Sequence, residues 1–332
     1  DSTDDSPERT ARCCAQWAAR GVDIEHIRRP SRDGFKAGAL RDGLPRATGE
    51  FVLILDADFV APPDLVRRLL DGFVSDDIGM VQTRWTHLNE RQSLLTRAQA
   101  PLLDGHFLIE QVARAGSCRW FNFNGTAGMW RRCCIDDAGG WQADTLTEDT
   151  DLSYRAQMRG WRFRFLEEPG CPAELPGTMP AFMAQQHRWS KGLVQTGLKL
   201  LPRVLRSRAS WRVKSEVFFH LTSPVVQLAT LMLVVVAPFL VWRMTGSDSS
   251  YAWIAVGLTA LLLGTGSAAL FYVTAQLVRG TRLLPALAMI PLLLALGVGI
   301  CLRNSRAVME ALLGVRSPFV RTPKAGREGR AT

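Results

Sequence analysis

An apolar run that ends in two carboxylates is the feature that most constrains the fold of this 332-residue chain. Residues 51–58 read Phe-Val-Leu-Ile-Leu-Asp-Ala-Asp, and the first five predict a buried strand. In open α/β sheets ligands bind at the carboxyl ends of the strands, which is where Asp56 and Asp58 fall. Both are hard oxygen ligands suited to a divalent ion that carries phosphates. The segment therefore predicts a metal-bound nucleotide at the edge of an α/β sheet.

The first half of the chain alternates short apolar runs with helical patterns. The expected strands cover residues 22–27, 51–55, 80–83 and 163–166, and the expected helices cover 36–46, 63–74, 92–115 and 149–159. This alternation is typical of an α/β domain with a largely parallel sheet. Such a domain normally begins with a strand, so the opening on Asp1-Ser2-Thr3-Asp4-Asp5 indicates a fragment that lacks at least one βα unit.

The second part of the chain has the composition of a membrane protein. Residues 179–206 have the pattern of an amphipathic helix, and residues 218–242 and 252–273 are long and apolar enough to cross a bilayer. Residues 284–302 are also apolar but contain two prolines and two glycines. We expect an interfacial or re-entrant segment there, or a third span in a longer protein. A buried helical bundle in a soluble protein is the alternative for residues 218–302.

The charge distribution sets the expected order of the domains. Residues 1–200 carry 25 basic and 27 acidic side chains, whereas residues 201–332 carry 15 basic and 4 acidic ones. Basic residues beside apolar spans stay on the cytoplasmic side and attract anionic lipids. The expected divisions are an α/β domain, an interfacial basic linker, a transmembrane region and a basic cytoplasmic tail or loop, at residues 1–200, 201–217, 218–302 and 303–332.

The sequence indicates neither a nucleic acid partner nor a zinc- or disulfide-stabilised fold. No nucleic-acid-binding motif or aromatic-interleaved basic stripe accompanies the charge, so we expect no nucleic acid partner. The seven cysteines include no Cys-x-x-Cys pair, which argues against a zinc site or a disulfide framework and fits a reduced compartment.

Two polar segments precede the first apolar run. Lys36 stands at the start of the small-residue helix Lys36-Ala-Gly-Ala39, where its ammonium could meet a nucleotide or a sugar hydroxyl. A solvated helix lysine fits the sequence as well. Asp1 and Asp4 lie in a turn that could hydrogen-bond a base, although a helix N-cap at Ser2 explains that turn equally.

A loop of small residues lies in the middle of the α/β half, at residues 123–128. Phe123-Asn124-Gly125-Thr126 could let the backbone approach a ligand closely, while the ring of Phe123 offers a face on which a sugar can stack. A buried turn with core aromatic residues is the alternative.

Two further motifs carry polar chemistry. Thr147-Glu148-Asp149 opens a helix, and a carboxylate that faces a cleft there could take a proton from an attacking hydroxyl. Acidic residues are, however, common in the first turn of any helix. In Gln185-Gln-His-Arg188-Trp189, the guanidinium could bind a diphosphate and the indole could stack on a sugar. An amphipathic interfacial helix is the competing interpretation.

The order of these motifs ahead of apolar segments resembles that of processive family 2 glycosyltransferases. Within that family it is most similar to the cellulose-synthase-like branch of plant glucomannan 4-β-mannosyltransferases and their bacterial relatives. The resemblance continues through residues 304–313 and 319–324, and the latter segment is similar to the mobile loop over the active site of cellulose synthases. It implies an α/β GT-A (Rossmann-like) fold followed by a helical transmembrane region, and a Mg²⁺- or Mn²⁺-dependent inverting transfer.

The resemblance also implies roles for individual residues. Asp149 would be the catalytic base, and Asp56 and Asp58 would hold the metal. The residues expected to bind the nucleotide sugar are Asp1, Asp4, Lys36, Asp56, Asp58, Glu148, Gln185 and Arg188. The residues expected to bind the acceptor are Phe123, Asn124, Gly125, Thr126 and Trp189.

The expected function is transfer of a hexose from GDP-mannose or UDP-glucose to a growing β-linked polysaccharide. The protein would be a multi-pass protein of the inner or plasma membrane, with its catalytic domain in the cytoplasm and membrane lipids around its spans. Two alternatives stay open. One is transfer of a single sugar to a lipid acceptor, and the other is a non-catalytic export partner that senses nucleotide sugars.

Overall fold

A computed structural model describes residues 6–245 and 251–315 of the chain, although some side chains of the last helices fall outside the description. The expectations for Asp1, Asp4 and residues 319–324 therefore lie outside the described residues. The first α/β elements are α1 (Ser6–Ala18), α2 (Phe35–Gly43), β1 (Phe51–Ile54), α3 (Leu65–Leu70), β2 (Ile78–His87), α4 (Leu94–Asp104) and α5 (Val112–Gly116). They are followed by β3 (Gly128–Arg131), α6 (Arg132–Asp137), α7 (Glu148–Met158) and β4 (Arg162–Ala173). The remaining helices are α8 (Met179–Arg206), α9 (Trp211–Thr222), α10 (Val226–Thr245), α11 (Tyr251–Val278) and α12 (Leu283–Leu312).

The four strands form one mixed sheet in the order β1-β3-β2-β4. β3 is antiparallel to both β1 and β2, whereas β2 and β4 are parallel. Among the described strands, β1, β2 and β4 therefore run in one direction, as the prediction of a largely parallel sheet requires, and β3 is the antiparallel exception. The reason lies in the loop that precedes β3: it reaches the carboxyl end of β1, where Ile54 pairs with Gly128, so β3 must run back along β1.

One predicted strand is absent from the described structure. Residues 22–27 form no regular secondary structure, and Val22, Ile24 and Ile27 are all exposed. A strand depends on its neighbour for backbone hydrogen bonds, so an apolar pattern alone does not make one. The other three predicted strands are confirmed, with β2 and β4 longer than expected.

The core lies on both faces of the sheet and follows the alternation of β3. Trp130 packs with Met80, Phe121 and Phe123 on one face. Met129, the preceding residue, packs on the other face with Val81 and with the α3 residues Leu65 and Leu69. This period of two is what buries both faces of a central strand.

The segment expected to be a linker is helical and packed. α8 ends at Arg206, and Ser210 caps α9 by accepting a hydrogen bond from the backbone N–H of Val213 at 3.3 Å. The hairpin buries a cluster of apolar side chains from both helices against Tyr154 of α7: Leu200, Val204, Val213, Val217 and Leu221. Residues 201–217 are therefore mostly helical and pack against α7, and their assignment as an interfacial linker stays a prediction.

The predicted span at residues 218–242 begins inside α9. A 3₁₀ turn at Ser223–Val225 separates α9 from α10, and the segment Trp211–Phe239 is long and apolar enough to cross a membrane. His220, a polar residue in this span, is hydrogen-bonded to the hydroxyl of Tyr154. Its place in an apolar sequence is explained by contact with the α/β domain.

The segment at residues 284–302 forms the first part of α12, a continuous helix of 30 residues that is also long and apolar enough to cross a membrane. Pro291 does not break it, and the interfacial, re-entrant or spanning placement of this helix stays a prediction. Leu293, Leu296 and Ile300 pack against Ala98 of α4 and Phe182 of α8. The predicted span at residues 252–273 lies within α11, where many side chains fall outside the description.

Trp130 tests the packing of the central strand. Trp130→Ala should destabilise the fold by about 3–5 kcal/mol, because a fully buried indole leaves a cavity when it is truncated. Trp17→Ala is the matched control, since Trp17 is 44% exposed, and we expect it to change stability by less than about 1 kcal/mol. Thermal and denaturant unfolding of both variants measure the difference. Equal destabilisation would contradict the assignment of Trp130 to the core.

Candidate active site

The candidate site lies where β1 ends beside the loop at residues 123–127. The backbone N–H of Ala127 donates to the carbonyl of Ile54 at 2.9 Å, and the backbone N–H of Asp56 donates to Thr126 Oγ1 at 2.8 Å. The Thr126 side chain is fully buried. The loop therefore continues the pairing of β1 past its last residue and fixes the backbone from which Asp56 projects.

Lys36 reaches this point from the start of α2. Its Nζ donates to Asp56 Oδ1 at 2.5 Å and to the Gly125 carbonyl at 2.9 Å. Burial lowers the pKa of Lys36, but the charges of Asp56, Glu148 and Asp149 outweigh it and raise that pKa. Lys36 is therefore a permanent cation inside the site, which excludes the solvated helix lysine as its interpretation.

A glycine allows α2 to begin where it does. A Cβ atom on Gly38 would lie 2.0 Å from the Asp33 carbonyl oxygen, a distance that no side chain tolerates. This close approach explains the small residues that follow Lys36 in the sequence.

Glu148 and Asp149 open α7 on the opposite side of the loop. Burial, reinforced by the neighbouring charge of Glu148, raises the pKa of Asp149 to about 7. Burial also raises the pKa of Glu148, although Lys36 acts against it. Gly125, at φ 88°, lies so close that a Cβ atom there would be 2.9 Å from Asp149 Oδ2. Only glycine fits between Lys36 and the carboxylate of Asp149.

Arg188 brings α8 to the same site. Burial lowers the pKa of its guanidinium, while the charges of Glu148, Asp149 and Asp56 raise it. The four charged side chains thus interact across the site, as the sequence predicted for residues from three separate motifs. Gln185 and Trp189 lie half-buried on the same helix.

α8 also holds the loop that leads into α7. The backbone N–H of Leu146 donates to Gln195 Oε1 at 3.0 Å, and the hydroxyls of Thr147 and Thr196 are 3.1 Å apart. Gly192 packs directly on this loop, because a Cβ atom there would lie 2.9 Å from the backbone nitrogen of Thr147. α8 therefore supports Asp149 as well as supplying Arg188.

Asp56 and Asp58 are suited to hold a metal ion whose coordination shell would be completed by substrate phosphates. No cluster of three or more His, Cys, Asp or Glu side chains able to hold a metal occurs within residues 6–245 and 251–315. Mg²⁺, however, is usually held by one or two carboxylates together with phosphate oxygens and water. Asp56 and Asp58 are two half-buried carboxylates and could supply that donor set.

The aromatic face expected at Phe123 is not available. Phe123 is fully buried and packs edge-to-face on Trp130 with ring centroids 5.7 Å apart. The prediction that it stacks on a sugar is wrong, because the ring points into the core and anchors the loop. Asn124 is also engaged with protein, through Gln82 and Gln111.

Several residues that support the site were not found from the sequence. Gln82, His106 and Gln111 surround Asn124, and Gln195 and Thr196 support α7. A polar residue in an otherwise apolar run was the available signal for Gln82, which lies in β2. The others stand on helices whose polar faces give no indication of what they contact.

Residues 51–300 match the family described as "Glycosyl transferase family group 2". The chain belongs to this family. It is 42% identical over 213 residues to Glucomannan 4-beta-mannosyltransferase 1 of Oryza sativa subsp. japonica, a match that covers 63% of this chain and 41% of the relative. The match to Glucomannan 4-beta-mannosyltransferase 2 of Arabidopsis thaliana is also 42% identical and covers 63% of this chain and 40% of the relative. This family 2 chain thus spans about two fifths of the length of these relatives.

The fold agrees with the family. A mannosyltransferase from Pyrobaculum calidifontis, solved in complex with GDP-Man and Mn²⁺, superposes with a TM-score of 0.59 at 20% identity. The superposition covers 95% of this chain and 76% of the other protein. The mixed sheet is therefore that of a GT-A glycosyltransferase domain.

Gly192 tests the contact between α8 and the loop before α7. Gly192→Ala should destabilise the protein by about 1–3 kcal/mol and reduce activity, because the new methyl group must push α8 away from Thr147. Gly299→Ala, on α12, is the matched control, since no atom lies within 4 Å of its added Cβ. Thermal unfolding and product formation compare the two. A Gly192→Ala protein as stable and active as the control would contradict this contact.

Proposed function

We propose that this protein is a membrane-bound inverting glycosyltransferase that adds mannose from GDP-mannose to a growing β-linked polysaccharide. The carboxylate of Asp149 is the observation that carries the proposal. It is held against Gly125 at the carboxyl end of β1, with a pKa of about 7, opposite the Asp56 carboxylate and the cation of Lys36. A base with a pKa near the working pH combines a large ionised fraction with a strong affinity for a proton.

Asp149 would take the proton of the acceptor hydroxyl as its oxygen attacks the anomeric carbon. The glycosidic bond forms as the bond to the diphosphate breaks, and attack from the opposite face inverts the anomeric configuration. One base suffices, and no covalent sugar intermediate is needed. General-base catalysis of this kind contributes roughly 10²- to 10⁴-fold in rate.

The leaving diphosphate gains negative charge as its bond to the sugar breaks and needs cations nearby to stabilise it. Arg188 would bind it through its guanidinium, and the buried ammonium of Lys36 would keep the surrounding carboxylates from repelling it. Asp56 and Asp58 would hold Mg²⁺ or Mn²⁺, which supplies further neutralising charge when bound with the nucleotide. Glu148, and Gln185 one helical turn before Arg188 on α8, would complete the donor site.

The donor and acceptor are inferred from the relatives. Those with 42% identity are named glucomannan 4-β-mannosyltransferases, which supports mannose as the sugar and a β-linked polymer as the product. UDP-glucose is the second donor to test. Gly125, Asn124 and Trp189 would contact the acceptor, and Asn124 also holds the loop.

The membrane location is part of the proposal. Trp211–Phe239 and Leu283–Leu312 are apolar helical segments of spanning length among the described residues. The basic excess around them supports a multi-pass protein with its catalytic domain in the cytoplasm. Lipid-linked acceptors would then also be within reach, and product length separates single transfer to a lipid from polymer extension.

Asp149→Asn tests the base. The variant should bind nucleoside diphosphate in the presence of Mn²⁺ but lose at least about 10²-fold in release of GDP from GDP-mannose. Its thermal stability at pH 8 should equal or exceed that of the wild type. The reason is that the folded-state pKa of Asp149 lies above its usual value, so ionisation at this pH disfavours the folded state.

The assay uses the full-length protein in membranes with a panel of GDP- and UDP-sugars. Wild-type turnover by Asp149→Asn would contradict the base assignment. Nucleotide binding by the wild type without release from any donor would instead favour the nucleotide-sugar sensor.

The pH profile gives a second test. The value of kcat/KM should rise with pH along a limb near pH 7, because Asp149 accepts a proton only when it is ionised. Glu148→Gln should move that limb to lower pH, since the charge of Glu148 raises the pKa of Asp149. The limb belongs to the coupled pair, so its displacement is the measurement. A limb that stays in place would exclude this carboxylate pair as its origin.

A further inference from the structure

The side chain of Asn124 is enclosed by three polar groups. Its Oδ1 accepts from Gln82 Nε2 at 2.7 Å and from Gln111 Nε2 at 2.8 Å, and its Nδ2 lies 2.9 Å from His106 Nε2. Gln82 and Gln111 are fully buried. None of these three partners belongs to the motifs that mark the family in the sequence.

The direction of every hydrogen bond in this group follows from the backbone. The N–H of Asn124 donates to Gln82 Oε1 at 2.7 Å, so the other atom of that amide, Nε2, is the donor toward Asn124 Oδ1. Gln111 gives the same answer independently, because its Nε2 also donates to the Asn122 carbonyl at 3.0 Å. Two fixed donors therefore make Oδ1 the acceptor and Nδ2 the donor.

This assignment determines the proton on His106. Since Asn124 Nδ2 donates, His106 Nε2 must accept, and the ring carries its proton on Nδ1. That atom lies 2.9 Å from Glu110 Oε2 and donates to it. Burial acts to raise the pKa of Glu110, but the hydrogen bond from His106 and the charge of Arg114 hold it below its usual range, so the acceptor is a carboxylate.

The group controls the position of the active-site loop. Asn124 is followed directly by Gly125, whose carbonyl accepts from Lys36 Nζ at 2.9 Å and whose backbone packs against Asp149. A different amide orientation at Asn124 would remove two hydrogen bonds from buried glutamines. The loop would then shift at the residue that contacts both Lys36 and Asp149.

We propose that His106, with its Nδ1 proton fixed by Glu110 and its Nε2 left unprotonated to accept from Asn124, is a positioning residue: with the two glutamines it holds Asn124 and thereby places Gly125 between Lys36 and Asp149. The inference rests on the proposed function only for its effect on turnover. The tautomer itself depends on the hydrogen-bond group and on nothing that the substrate supplies.

Two neutral variants separate positioning from packing. His106→Gln can place an amide oxygen near the former Nε2 and accept from Asn124, whereas His106→Asn is one methylene shorter and reaches only the former Nδ1. We expect kcat to fall by roughly 10-fold or more in His106→Asn, because small displacements of reacting groups are costly. It should stay near the wild-type value in His106→Gln. Nucleoside diphosphate affinity, measured with Mn²⁺, should change little in either variant.

Equal kcat values in the two variants, whether both low or both normal, would overturn the positioning role. A nitrogen NMR spectrum of the full-length protein with labelled histidines tests the tautomer in the wild type. His106, assigned by the signal lost in His106→Gln, should show a protonated Nδ1 and an unprotonated Nε2. The opposite pattern, or a doubly protonated ring, would overturn the assignment.

The two experiments distinguish this inference from the proposed function. If the wild type releases no nucleotide from any donor, the function fails while the spectrum still decides the tautomer. If the wild type is active and the histidine variants behave alike, the function stands and the role of His106 fails.

Discussion

The rest of the site depends on the attraction between the ammonium of Lys36 and the carboxylates around it. Three carboxylates converge at the end of β1, Glu148 buried and Asp56 and Asp149 half-buried, and removing them from water is costly without a cation among them. Lys36 contacts Asp56 directly and lies within the electrostatic reach of Glu148 and Asp149. Its charge holds Asp56 in place and limits the rise in the pKa of Glu148 and Asp149, and therefore leaves a base that can ionise near neutral pH.

α8 connects this site to the apolar helices. Next to Arg188 on α8, the fully buried Lys191 pairs through Nζ with Glu310 Oε2 of α12 at 3.0 Å. His187 Nε2 lies 3.3 Å from the same oxygen. Breaking a buried pair leaves an uncompensated charge, so α8 and α12 are held in one register. The rotation of α8 that points Arg188 at the site is thus tied to the helix with which the described chain ends.

The sequence could predict the elements that depend on local pattern. α8 begins and ends where its amphipathic spacing predicts, and Asp56, Asp149 and Arg188 meet as the motif order indicates. It could not predict what depends on partners far along the chain. The segment 22–27 has an apolar pattern but no neighbouring strand, β3 reverses direction because of the loop before it, and Phe123 turns into the core because Trp130 is there.

α9 is connected to the site by two series of polar contacts. Glu216 of α9 accepts from Arg114 Nε at 2.7 Å, and Arg114 in turn contacts Glu110, the partner of His106. One turn further along α9, His220 contacts Tyr154 of α7, the helix that carries Asp149. The loop on one side of Gly125 and the base on the other are therefore both connected to α9. A displacement of α9 would therefore change the distance between Lys36 and Asp149, which Gly125 separates. The geometry of the site thus depends on the position of α9.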